Sequence, residues 1–142
     1  MITNPQKNRL ANFLYGGKTN ELEAISPKTF YIGLSTEDMT ANGIIGAEPS
    51  ADAGYARVPV ANTKDQFSTV ESLEDALAGK ITNQNQITWD EATEAWGTVK
   101  TVFLAASADA TEALYYVTVN KTVPANCTLY FKGGDLTLSV SN

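Results

Sequence analysis

Asp90, Glu91 and Glu94 fall within five positions of one another, with Trp89 immediately before them and Trp96 just after. Carboxylates beside tryptophans are the ingredients of a sugar site. Aromatic faces pack on sugar rings, and a pair of carboxyl groups ~5–5.5 Å apart (retaining) or ~6.5–9.5 Å apart (inverting) can cleave a glycosidic bond. A catalytic acid must also be desolvated enough to hold its proton near neutral pH. The stretch "TWDEATEAWGT" places all three acids between two strand-like runs, where a solvated turn is expected. The residues therefore favour a hairpin connection over a catalytic pair. Trp89 and Trp96 are left as the candidates for ligand stacking, against the alternative that they pair across strands or fill the core.

The other chemistry-bearing residues are sparse. The chain has no histidine and one cysteine, Cys127. Ser–His and Cys–His nucleophile systems are excluded, as are the usual zinc sites and a disulfide within the chain. Cys127 opens an apparent strand, "NCTLYF", and reads as a small core or rim residue. Glu37, Asp38, Glu48 and Asp52 lie in two polar stretches that lack the EF-hand spacing, so loop solvation is expected rather than a metal centre. Gly16–Gly17 and Gly133–Gly134 lack the phosphate-loop pattern and read as a helix stop and a hairpin turn. Arg57, in "GYARVPV", reads as pairing at the surface with a loop acid or with a neighbouring subunit. No catalytic, cofactor or metal residue is assigned, and the chain is not expected to be an enzyme.

The elements that must position these residues are mostly strands. "NPQKNRLANFLYGG" reads as a short amphipathic helix over 4–15: Asn4 is a good N-cap, Pro5 suits the first turn, and Leu10, Phe13 and Leu14 share a face. "KTFYIGLS" alternates, with Phe30, Ile32 and Leu34 on one side. Residues 36–54 form a long loop without periodicity, and such loops commonly contact partners. Met39, Ile44 and Ile45 within it are expected at a subunit contact, with the "GII" run of Ile44 and Ile45 alternatively folded back on the core. "YARVPVA" is an edge strand with Ala56, Val58 and Val60 inward and Pro59 on the opposite parity. Lys64–Gly79 reads as a loop with a short helix around Val70, Leu73 and Leu77.

The C-terminal part is the most regular. "NQITWD", "WGTVKTVFLAA", "ALYYVTVNK", "CTLYFK" and "DLTLSVS" read as strands, with Ile87 and Trp89 on one face of the first and Tyr115, Val117 and Val119 on one face of the third. "VKTVFLAA" carries apolar residues on both parities, so it is central or covered on both faces. With few crossover helices, the sheets must be mainly antiparallel. The expected fold is mainly β, an antiparallel β-sandwich with a short N-terminal helix, in one domain over 1–142. That size suffices for a core, and 43% hydrophobic with 18% charged residues fits a folded domain.

The order of four stretches resembles a known family. They are "FYIGLSTEDM", "EPSADAGYARVPV", "ITWDEATEAWGTVKTVFLAAS" and "NKTVPANCTLYFKGGDLTLSV". Together they span residues 30 to 140, and they are similar to small tailed-bacteriophage virion proteins of the tail fibre or minor structural type. The resemblance implies a virion structural role in a tail, baseplate or capsid accessory position, with no catalytic constellation to carry over. The expected partners are other virion proteins and further copies of the chain. Leu10, Phe13, Leu14, Met39, Ile44, Ile45 and Arg57 are the expected contacts, and recognition of a host-surface glycan is the alternative. A net charge of −6 and scattered basic residues argue against nucleic acid and anionic membrane as partners. No signal peptide is evident, so synthesis in the host cytoplasm and residence in the virion are expected.

Overall fold

The computed structural model describes residues 1–16, 22–69 and 79–139. The leading helix α1 spans Asn4–Gly16 and a short helix α2 follows at Leu22–Ile25. Nine strands follow among the described residues: β1 (Thr29–Ser35), β2 (Val58–Ala61), β3 (Phe67–Thr69), β4 (Lys80–Asn83), β5 (Ile87–Thr88), β6 (Gly97–Ala105), β7 (Tyr115–Val123), β8 (Tyr130–Phe131) and β9 (Thr137–Ser139). Every pairing is antiparallel.

The strands form a four-stranded sheet in the order β2-β1-β6-β7, a three-stranded sheet β3-β4-β9 and a two-stranded sheet β5-β8. The main core lies between the large sheet and the smaller ones. Phe30, Ile32, Leu34, Val102 and Leu104 of the large sheet meet Ile87, Trp89, Phe131, Leu136 and Leu138 from the opposing layer. This is the expected sandwich, and the alternation of Phe30, Ile32 and Leu34 is the reason β1 presents one apolar face to it.

The large sheet is covered on its other face as well. Met39, Phe103, Ala105, Ala113 and Tyr116 form a second cluster there, with Ile45 and Ala110 against it. This accounts for the apolar residues on both parities of β6, which is central in its sheet. The β6–β7 register slips between Val99 and Thr101, and Val99 is buried in the main core with Val102 despite its opposite parity. Phe103 lies so close over Gly33 that a Cβ at Gly33 would come within 2.2 Å of its ring. Gly33→Ala is therefore expected to cost about 1–3 kcal/mol through overpacking. Chemical denaturation checks this, and Phe103→Leu in the same chain should restore part of the loss.

Residues 1–3 extend this sheet beyond β7. Met1 and Tyr116 exchange hydrogen bonds, Ile2 bridges Tyr115, and the Thr3 N–H donates to the Leu114 carbonyl at 3.0 Å. Ile2 and Thr3 are fully buried, so the N-terminal segment caps the start of an otherwise open edge. Burial of the Met1 ammonium holds it below its ordinary pKa.

Several expectations change. The runs carrying Trp89 and Trp96 do not form a hairpin: β5 pairs with β8, while β6 lies in the large sheet. Gly133–Gly134 is a turn, with Gly134 at φ +87, but β8 and β9 enter different sheets and are not paired with each other. Ala56 is exposed rather than inward, because it precedes β2 and the inward neighbour is Tyr55. Cys127 is an exposed free thiol just after a turn, not a strand residue. Sequence periodicity gave no indication of β4, which runs from Lys80 to Asn83. Val70, Leu73, Leu77 and Val140 lie outside the described residues.

Candidate functional site

The stretch 90–96 crosses from one layer of the sandwich to the other. The Ala92 N–H donates to the Cys127 carbonyl at 2.9 Å, the Thr93 N–H to the Ala53 carbonyl at 3.0 Å, and the Trp96 N–H to the Val123 carbonyl at 2.9 Å. Ala92 is buried as the pivot, while Asp90, Glu91 and Glu94 point outward and are exposed. Exposed carboxylates keep their water and lack the desolvation a catalytic acid requires.

The two tryptophans turn the other way. Trp89 is 1% exposed and Trp96 is 5% exposed. The Trp89 ring meets Phe131 edge-on at 5.9 Å, and the Trp96 ring meets Tyr55 edge-on at 5.6 Å. Neither ring face is open to a sugar, which corrects their assignment as stacking platforms. The cause is positional: Ile87 of β5 and Trp89 just past its end share the core face, and Trp96 is buried directly before β6 begins. The Trp96 indole N–H donates to the Ala53 carbonyl at 2.9 Å, whereas the buried Trp89 indole N–H has no partner among the described residues.

Arg57 is the centre of a polar cluster that joins loop and sheet. Its Nε and Nη2 donate to the two carboxylate oxygens of Glu48 at 3.0 and 2.8 Å, and its Nη1 donates to the Ser107 carbonyl at 3.1 Å. The guanidinium lies 5.0 Å from the Phe103 ring centre. The Tyr55 hydroxyl donates to Glu48 at 2.6 Å and accepts from the Leu34 N–H at 2.8 Å. The Arg57 side chain is only 8% exposed. It therefore pairs with a loop acid, one of the two partners expected, but as an internal clamp between the 36–54 loop and the sheet rather than at the surface.

Hydrogen bonding to Glu48 holds the Arg57 guanidinium above its ordinary pKa. Burial, and then the bond to Glu48, push the Tyr55 phenol well above the ordinary tyrosine value of 10.0. A tyrosine pKa raised in the folded state contributes stability below the unfolded value and loses it as pH rises. Denaturation midpoints should thus fall as pH rises above 10.0, and Tyr55→Phe should flatten that alkaline limb.

The remaining acids of the loop do not converge on one point. Glu37 accepts from the Ala47 N–H at 2.9 Å, Glu48 is held by Arg57, and Asp38 lies 3.9 Å from Lys100. No group of three or more metal-binding side chains forms among the described residues. No helix among them is long and apolar enough to cross a membrane.

Of the expected contact residues, Met39 is buried in the second cluster and Ile45 packs against it, so both serve the chain's own core. Ile44 remains outside at 66% exposure, as do Leu14 at 58% and Tyr15 at 89% on α1. Leu10 and Phe13 are half-buried. Helix and loop share one end of the molecule: the Asn4 N–H donates to the Ala41 carbonyl at 2.7 Å, and Ile44 bridges Glu112, which Arg9 of α1 meets at 2.7 Å. Sequence reasoning missed Tyr15 and Leu22 as exposed apolar residues. It also missed Gln6, buried within α1 and donating to the Ile25 carbonyl of α2.

No curated protein matches the chain. A family model described as Podophage GP4 fiber I protein gp80 matches residues 1–139. The chain belongs to this family of phage fibre proteins, and it is a structural protein of the phage virion.

Proposed function

We propose that the chain works as one non-catalytic β-sandwich unit that self-associates and attaches to a larger assembly through the end formed by α1 and the 36–54 loop. The observation that carries this reading is the exposure of Leu14, Tyr15 and Ile44 on two segments joined at that end. Large apolar side chains outside a core, on two segments that touch one another and on a protein whose family membership ties it to other virion components, favour a protein contact. With both tryptophans buried, the glycan reading has lost the aromatic faces that motivated it.

Analytical ultracentrifugation tests the self-association. The wild-type chain should sediment as an oligomer, and Leu14→Glu with Ile44→Glu should shift it to monomer while leaving the melting temperature within about 0.5 kcal/mol equivalent, as expected of surface positions. A wild-type chain that stays monomeric at all concentrations and never joins virion components in a pull-down would contradict the reading.

A further inference from the structure

Helix α1 has two unlike faces. At about 3.6 residues per turn, Gln6, Arg9, Leu10 and Phe13 share one side. The chain itself holds that side: Gln6 is fully buried, Arg9 meets Glu112 at 2.7 Å, and Leu10 and Phe13 are half-buried. The opposite side carries Lys7, Ala11, Leu14 and Tyr15. Ala11 lies exposed along its middle, with the exposed Leu14 and Tyr15 to either side. A small residue at the middle of a helix face lets a second helix approach closely, because interaxial distance follows the side chains at the contact.

The charges of α1 are arranged against its own dipole. A helix carries roughly half a positive charge at its N-terminus and half a negative charge at its C-terminus. Asn4–Gly16 has no acidic residue in its first turn and no basic residue in its last. Both of its cations, Lys7 and Arg9, stand in the N-terminal half, where an anion would be favoured. Glu112 neutralises Arg9, whereas Lys7 has no ion-pair partner among the described residues.

An antiparallel helix would complement both ends, and α1 of a second copy has the matching pattern. In a pair centred on Ala11, residues four positions before it face residues four positions after it. Lys7 of each copy then meets Tyr15 of the other, close to the last-turn carbonyls. The ammonium gains an aromatic ring and the negative end of a helix, and the two dipoles run in opposition. The two Lys7 residues stay about 12 Å apart along the pair at ~1.5 Å rise per residue, beyond the screening length of ~8 Å at physiological salt. An isologous contact requires every feature to find its complement within the same patch, and Lys7 and Tyr15, evenly spaced about Ala11, meet that requirement.

We infer that α1 packs antiparallel against α1 of a second copy, about a two-fold axis passing beside Ala11. The inference rests on the self-association proposed above and gives it a symmetry and a partner surface.

Disulfide trapping tests it, in a chain carrying Cys127→Ser to remove the exposed free thiol. Ala11→Cys should form a covalent dimer on mild oxidation, since its two copies would lie within the ~7 Å Cα separation a disulfide spans. Tyr15→Cys alone should not, because its copies would lie about 12 Å apart. In sedimentation of the otherwise wild-type chain, Lys7→Ala and Tyr15→Ala should each raise the dissociation constant about ten-fold or more, because symmetry removes each contact twice. The melting temperature of the dissociated chain should not change, as both positions lie on the outward face. Cross-linking through Tyr15→Cys as readily as through Ala11→Cys would mean a parallel pair and overturn the inference. An oligomer that Ala11→Cys does not trap, or an Ala11→Cys thiol that links to a different virion protein in particles, would overturn the pairing and leave association through this end standing. A chain that is monomeric at every concentration would defeat the self-association itself, and the pairing with it.

Discussion

Arg57→Ala is expected to destabilise the protein by about 3–5 kcal/mol, the cost typical of leaving one partner of a buried ion pair uncompensated. Arg57 is 8% exposed at its side chain and Glu48 24%, so the abandoned Glu48 carboxylate would remain largely shielded from water. The substitution also removes the donor to the Ser107 carbonyl and the cation above Phe103. Glu48→Gln should cost less than Arg57→Ala, because an amide can still accept from Tyr55 and from one guanidinium nitrogen. Urea denaturation of the two variants measures both the size and the order. If Arg57→Ala fell within about 0.5 kcal/mol of wild type, the pair would be behaving as an ordinary surface bridge.

The second large effect is expected at Trp89. Trp89→Ala should cost about 3–5 kcal/mol, the range for emptying a buried aromatic site. Trp89 is flanked by Phe131 and sits in the layer opposite the large sheet, so the cavity would open in the centre of the sandwich. A paired comparison isolates the polar part. Trp96→Phe forfeits the bond to the Ala53 carbonyl, while Trp89→Phe removes a buried N–H that has no partner among the described residues. Trp96→Phe should accordingly be the more damaging by about 1 kcal/mol, the net value of a typical hydrogen bond. Thermal denaturation of the two phenylalanine variants gives the difference directly, and equal losses would count against this assignment of the two indoles.

Much of the fold was legible where a strand is long enough to show a period. Phe30, Ile32 and Leu34 gave β1 its inner face, and the mixed parity of 99–105 marked β6 as covered on both sides. The pairing of the short strands was not legible. β5 and β8 have two residues each, too few for any periodicity, and their partnership joins segments more than forty residues apart. This is why a local hairpin between the Trp89 and Trp96 runs looked natural and does not occur.

The site residues divide in the same way. Ile44 and Leu14 could be read as apolar and outward from their local context. Met39 and Arg57 could not be read as inward, because the surface that buries them is the back of the large sheet, with Phe103 at its centre. Phe103 can lie there only because Gly33 opposite has no side chain.

Cryo-electron microscopy of the intact particle, at a resolution that places side chains, tests the central claim most directly. The account predicts density for this chain with Leu14, Tyr15 and Ile44 buried against a neighbouring polypeptide of the virion. A particle in which that end of the chain faces solvent, with every protein contact made elsewhere, would contradict it.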